Sequence, residues 1–308
     1  MRKVAVLCGG VGAARFLAGL VEVTDPAGVT AIVNVADDDE FHGLHVSPDI
    51  DTVLYTLGGV VEESQGWGRR DESFHAQEEL TRFGEDAWFR LGDRDLAAHL
   101  HRTRLLREGR SLTEVVDGMR AALGIRARVL PATDGTQRTM VRTDAGWLAF
   151  QDYFVKRRTA DRVHEIRFDP EAAPTALVRA AIAESDVLVI APSNPFVSIG
   201  PILALTGMRE AIAAVRERVV AVSPIVGGAA IKGPAAAMLA ALGHDVSALG
   251  VARLYAGIAR AFVIDEQDAA LRPAMEALGL RVTVTATLML DARARAALAR
   301  ATIGALPA

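Results

Sequence analysis

Six carboxylates crowd the stretch NVADDDEFHGLHVSPDID (34–51): Asp37, Asp38, Asp39, Glu40, Asp49 and Asp51. Like charges at this density repel unless a cation or bound donors offset them, so an oxygen-ligated metal is the natural chemistry. Magnesium takes one or two carboxylates together with substrate phosphate oxygens, and Asp37, Asp38 and Asp49 are its candidate ligands here. His42 and His45 lie in the same stretch, but no cysteine partner or HExxH pattern accompanies them, which argues against zinc.

Phosphate chemistry is suggested by the opening run VLCGGVGAARFLAGL (6–20). Gly9, Gly10 and Gly12 let the backbone approach a ligand, and the start of the following helix favours an anion. A dinucleotide fingerprint would need a third glycine where Arg15 stands, and no Lys-Ser/Thr pair completes a Walker loop. A second glycine pair, Gly227 and Gly228, precedes Lys232 in VSPIVGGAAIKGP (222–234); two such loops suggest a ligand with more than one phosphate. In APSNPFVSIGPILAL (191–205), Ser193, Asn194 and Ser198 supply hydroxyl and amide groups on a proline-fixed loop. Trp88, Phe89 and Arg90 in DAWFRLGDRD (86–95) combine flat apolar surface with a fixed cation, a pairing suited to a ring system, although packing against the sheet would use the aromatics equally well.

These stretches need elements to hold them at one place. KVAVLC (3–8), VTAIVNVA (29–36), DVLVIAPSNP (186–195), RVVAVSP (218–224), RAFVID (260–265) and RVTVTAT (281–287) read as buried strands separated by helical spacing. Such alternation predicts an α/β fold, a Rossmann-like doubly wound and mainly parallel sheet covered on both faces. Ligands of such sheets sit beyond the carboxyl ends of the strands, where the glycine, aspartate and Ser-Asn stretches all fall. Residues 62–168 read as an insertion, helical and charge-rich at first and an antiparallel meander from 126 onward, capping the ligand edge of a single domain spanning 1–308.

At 308 residues, 51% hydrophobic and 23% charged, the chain has the composition of a globular protein. A net charge of −4 without a basic run argues against a nucleic-acid partner. One cysteine, Cys8, excludes an intramolecular disulfide and fits a reducing compartment. Glycines interrupt the N-terminal apolar stretch too early for a signal peptide or membrane span, so a cytoplasmic protein is expected.

Taken in order, GGVGAARFLAGL, NVADDDEFHGLHVSPDIDTVLYTLGG, WFRLGDRDLA, DGTQRTMVRTDAGWLAFQDYFVKRR, APSNPFVSIGPILAL and VSPIVGGAAIKGP closely resemble the 2-phospho-L-lactate transferase family of coenzyme F-420 biosynthesis. They cover nearly the whole chain; Ala13 departs from a frequent family glycine. The resemblance implies a magnesium-dependent transfer of a phospho-three-carbon-acid group from a guanosine diphosphate-linked donor. The acceptor would be the terminal ribityl hydroxyl of the deazaflavin Fo, with GMP released, on a Rossmann-like fold that is commonly a homodimer. By position, Asp51 and Arg90 match residues that contact the deazaflavin, with Trp88 beside them. The glycine loops, Ser193 and Asn194 fall on the nucleotide side. Transfer of this kind asks for charge neutralisation, positioning and a proton acceptor, and Asp51, with Asp49 second, is the expected acceptor. A nucleotide-sugar-binding regulatory protein of the gluconeogenesis-factor type shares the N-terminal loop and is the alternative; VSPDIDTVLYTLGG and WFRLGDRD favour the transferase. An NAD-dependent oxidoreductase is disfavoured by Arg15 and the aspartates.

Overall fold

A computed structural model describes residues 2–306. In chain order its strands begin with β1 (Val4–Cys8), β2 (Val29–Val33), β3 (Asp39–Phe41), β4 (Leu44–Val46), β5 (Arg128–Pro131), β6 (Arg138–Thr143) and β7 (Gly146–Ala149). They continue with β8 (Glu165–Asp169), β9 (Val187–Ile190), β10 (Val219–Val222), β11 (Ile225–Val226), β12 (Ala229–Ala230), β13 (Ala261–Ile264) and β14 (Arg281–Val284). Seven of them form one sheet in the order β14-β13-β10-β9-β1-β2-β5. Every pairing in it is parallel.

The chain leaves β1 toward one edge through β2 and β5, then returns to β9 on the other side of β1 and runs to the opposite edge through β10, β13 and β14. The strand order therefore reverses between β1 and β9, which opens a crevice beyond their carboxyl ends. Residues alternate faces along each strand. Val4, Val6 and Cys8 join one core with helix α1 (Gly10–Val23), helix α2 (Pro48–Leu57) and the C-terminal helix Ala292–Ile303. Ala5 and Leu7 join a second core with the helices between β8 and β14. Both faces are covered, as the continuous apolar strands require.

Between β4 and β5 lie helices α3 (His75–Arg82), α4 (Asp93–Arg107) and α5 (Leu112–Ala122). The expected insertion over 62–168 is interrupted: β5 leaves it to pair with β2 as an edge strand of the main sheet, and α5 packs on that edge. Val129 and Leu130 face opposite cores, so both sides of β5 are buried like those of its neighbours. The meander is confined to the sheet β7-β6-β8, and a π-helical segment Asp152–Lys156 follows β7 where continued strand was expected. Among the described residues no helix is long and apolar enough to cross a membrane.

Candidate active site

The crevice between β1 and β9 opens into a cleft of about 730 Å³, lined by Gly9, Gly10, Gly12, Arg15, Asp37, Asp49, Asp51, Trp88, Arg90, Asp95, Ser193, Asn194, Ser198 and Lys232 among others. The sequence thus brings most of its candidate residues to one place. Gly227, Gly228 and Asp38 do not line the cleft.

On the carboxylate wall, Asp49 in the first turn of α2 accepts hydrogen bonds from the Gly10 N–H (2.8 Å) and from Asn34 Nδ2 (2.9 Å). Gly9 and Gly12 are glycines because other groups come close. A Cβ at Gly12 would stand 2.5 Å from the Pro192 carbonyl oxygen, and one at Gly9 would meet Asp49. The opening loop is therefore packed against the aspartate cluster and the loop after β9, with one amide already committed to Asp49. Ser193 Oγ donates to the Gly9 carbonyl (2.9 Å), and Asn194 Oδ1 accepts from the Phe196 N–H (2.9 Å), so both side chains fix the 191–199 loop. Ser198 caps no helix; Ile199 occupies the N-cap of the next one.

Burial raises the Asp49 carboxyl to about 6, against the lowering effect of the Asn34 and Gly10 hydrogen bonds. Asp37 is also raised well above the carboxylate range, by burial and then by the charge of Asp49, and its Oδ1 is buried without a partner. Asp38 turns away from the cleft: its Oδ2 accepts from Ser47 Oγ (2.7 Å) and meets His45 Nε2 (3.1 Å), while its Oδ1 is also buried and unpartnered. Buried carboxylate oxygens without donors are costly, and a divalent cation would relieve that cost. Among the described residues no group of three or more His, Cys, Asp or Glu side chains is set to hold a metal by itself. Asp37 and Asp49 thus fit a magnesium ion that completes its shell with substrate and water oxygens, the usual habit of that ion.

Asp51, one residue pair further along α2, is held differently. Arg102 of α4, with none of its side chain exposed, pairs through Nη2 with Asp51 Oδ1 and through Nη1 with Oδ2 (3.1 Å). Both Asp51 oxygens are therefore engaged by a buried guanidinium, an ion pair that ties α2 to α4. Two other residues of α4 complete a network that the sequence reading missed. Tyr55 Oη donates to Asp95 Oδ1 (2.6 Å), and His99 lies 3.8 Å from both Asp51 and Asp95. Positions 95, 99 and 102 share one face of α4, and this i, i+4, i+7 spacing was the available signal. It was obscured because DRDLAAHLHRTRLLR has the charge of a solvated helix.

The cleft lining also includes an aromatic wall. Phe41 stacks on Phe89 with centroids 3.9 Å apart, and Trp88 meets both edge-on. The Arg90 guanidinium sits 4.0 Å from the Phe74 ring centre, and Lys156 Nζ 5.2 Å from that of Trp88. At the mouth, Trp67, Phe154, Ile231 and Leu290 are exposed apolar side chains. Lys232 reaches across the mouth to donate to the Gln65 carbonyl; burial and the nearby charge of Arg15 lower its pKa. Gly227 and Gly228 instead make the tight turn between β11 and β12, where the Gly227 N–H donates to Asp268 Oδ2 (3.1 Å). Their glycine identity follows from positive φ angles in that turn and not from a phosphate.

Sheet order and cleft position define a Rossmann-like α/β protein whose main cleft lies at the switch point, where ligands of such sheets bind. Residues 4–297 match the family model described as 2-phospho-L-lactate transferase CofD, and the chain belongs to that family. It is 44% identical over 306 residues to the phosphoenolpyruvate transferase of Streptomyces griseus, covering 97% of this chain and 96% of that protein. It is 38% identical over 301 residues to the 2-phospho-L-lactate transferase of Methanothermobacter thermautotrophicus, covering 98% and 97%. The crystal structure of protein BH3568 from Bacillus halodurans superposes with a TM-score of 0.64 over 98% of this chain and 99% of that one; at 20% identity this shows a shared fold only.

Proposed function

We propose that the chain moves a phospho-three-carbon-acid group from a guanosine diphosphate-linked donor to the terminal ribityl hydroxyl of the deazaflavin Fo, releasing GMP, as a step of coenzyme F-420 biosynthesis. The observation that carries the reading is the division of one cleft into two walls, aromatic at Trp88 and Phe89, carboxylate and glycine at Asp49 and Gly9. A flat tricyclic acceptor suits the first wall and a diphosphate donor the second. Family membership supports the reaction class. The phosphoenolpyruvyl donor is favoured over the 2-phospho-L-lactyl one because the chain shares more identity with the Streptomyces phosphoenolpyruvate transferase than with the Methanothermobacter 2-phospho-L-lactate transferase.

Each wall has a physical task. Trp88 and Phe89 take the deazaflavin ring by stacking, and Arg90 adds a fixed positive charge beside it. Arg15 and Lys232 attract the diphosphate, while the α1 N-terminus favours its charge. Asp37 and Asp49 would hold magnesium, which when bound offsets charge gathering on the transferring phosphoryl oxygens. We read the active species as a cytoplasmic homodimer, a reading that light scattering checks.

Incubating the protein with Fo, magnesium and either donor, then weighing the product by mass spectrometry, tests this directly. A product heavier than Fo by the phospho-acid group, lost on chelation and restored by magnesium, is expected. Failure of both donors to yield any adduct would overturn the reading.

A further inference from the structure

We propose that Asp95, and not Asp51 or Asp49, takes the proton from the acceptor hydroxyl. This rests on the transfer reading above. Three acidic side chains on α2 and α4 line the cleft near the aromatic wall, and their oxygens are differently engaged. Both oxygens of Asp51 are held by Arg102. Those of Asp49 are held by the Gly10 N–H and Asn34. Asp95 receives Tyr55 Oη on Oδ1 alone, and its Oδ2 accepts no hydrogen bond among the described residues. The Asp95 side chain keeps 16% of its surface exposed, toward the cleft it lines. It stands four residues after Leu91, at the end of the Trp88–Leu91 wall that would seat the acceptor ring.

The charges around Asp95 favour that task. From α2 it faces Tyr55 and Asp51; from its own helix, His99 and Arg102; from the loop before α3, Glu72, which accepts the Asp95 backbone N–H (2.8 Å). Burial, reinforced by the charge of Asp51, raises its carboxyl to about 7, where a base is strong enough to help and still largely ionised above neutrality. His99 is held neutral, its pKa lowered to about 4 by burial, so it does not cancel the Asp95 charge. In the transfer, the ribityl oxygen bonds to the acid-side phosphorus of the donor. The bond from that phosphorus to the bridging oxygen breaks, its electron pair leaving with GMP, and the hydroxyl proton passes to Asp95 Oδ2.

Two variants test the assignment through the pH profile of kcat/KM for Fo, with circular dichroism melts to confirm folding. The wild type should show an acid limb near 7. Asp95→Asn should lose about 10²–10⁴-fold in turnover and flatten that limb. Tyr55→Phe should move the limb to higher pH, because the Tyr55 hydroxyl lowers the Asp95 carboxyl. An intact limb in Asp95→Asn, or turnover within about threefold of the wild type, overturns the proposal. If Asp95→Asn does not fold, an unmoved limb in Tyr55→Phe overturns it instead. A wild type that yields no adduct at all counts against the transfer reading and not against this assignment.

Discussion

A Cβ at Gly9 would stand 2.5 Å from Asp49 Oδ2, so the first loop and the aspartate cluster are packed into a single unit. Gly9→Ala must push aside a carboxylate, and turnover should fall at least about tenfold, the equivalent of about 1.4 kcal/mol at the transition state. Gly12→Ala meets the backbone carbonyl of Pro192, which cannot swing away; it should cost about 1–3 kcal/mol of stability. Steady-state kinetics and urea midpoints on the two variants separate these effects. Equal loss of stability in both would contradict them.

The Asp51–Arg102 pair joins α2 to α4 with the guanidinium fully buried and the carboxylate nearly so. Arg102→Met strands a buried carboxylate and should cost about 3–5 kcal/mol in urea unfolding, whereas adding Asp51→Asn should recover most of that loss.

Stability should respond to pH through Asp95. Its folded value lies above the unfolded one, so its contribution is complete below about 4 and is lost as pH rises through about 7. Asp95→Asn lacks this titration. Its unfolding free energy relative to the wild type should therefore grow by on the order of 1.4 kcal/mol per pH unit across that window and level off above it. A constant difference between pH 4 and 8 would disprove it.

Trp88→Ala should raise KM for Fo about tenfold and leave KM for the donor unchanged, since the lost surface lies on the aromatic wall only. Initial-rate kinetics with each substrate varied in turn provide the check.

How much of this was legible in the sequence follows from where each signal is local. β1, β2, β9, β10 and β13 are short apolar runs buried on both faces, and β14 is a β-branched edge strand; such runs announce themselves. β5 did not, because RVLP is four residues long and follows a helical stretch, so only its pairing with β2 reveals it. Asp37 and Asp49, which both line the cleft, stand out in the sequence because crowded carboxylates are unusual anywhere. Arg102, His99 and Asp95 were missed because their charges are ordinary on a solvated helix and become significant only when α2 packs against them. The Gly227–Gly228 pair misled for the opposite reason: positive φ in a two-strand turn calls for glycine as strongly as a phosphate does.

Trp67, Phe154, Ile231 and Leu290 leave a hydrated hydrocarbon rim around the cleft mouth. Any ligand that draws this rim inward releases its ordered water. Association should then carry a negative heat-capacity change, and its enthalpy should grow more favourable as temperature rises. The thermal signature of substrate entry is in this way written at the doorway, outside the residues that would perform the chemistry.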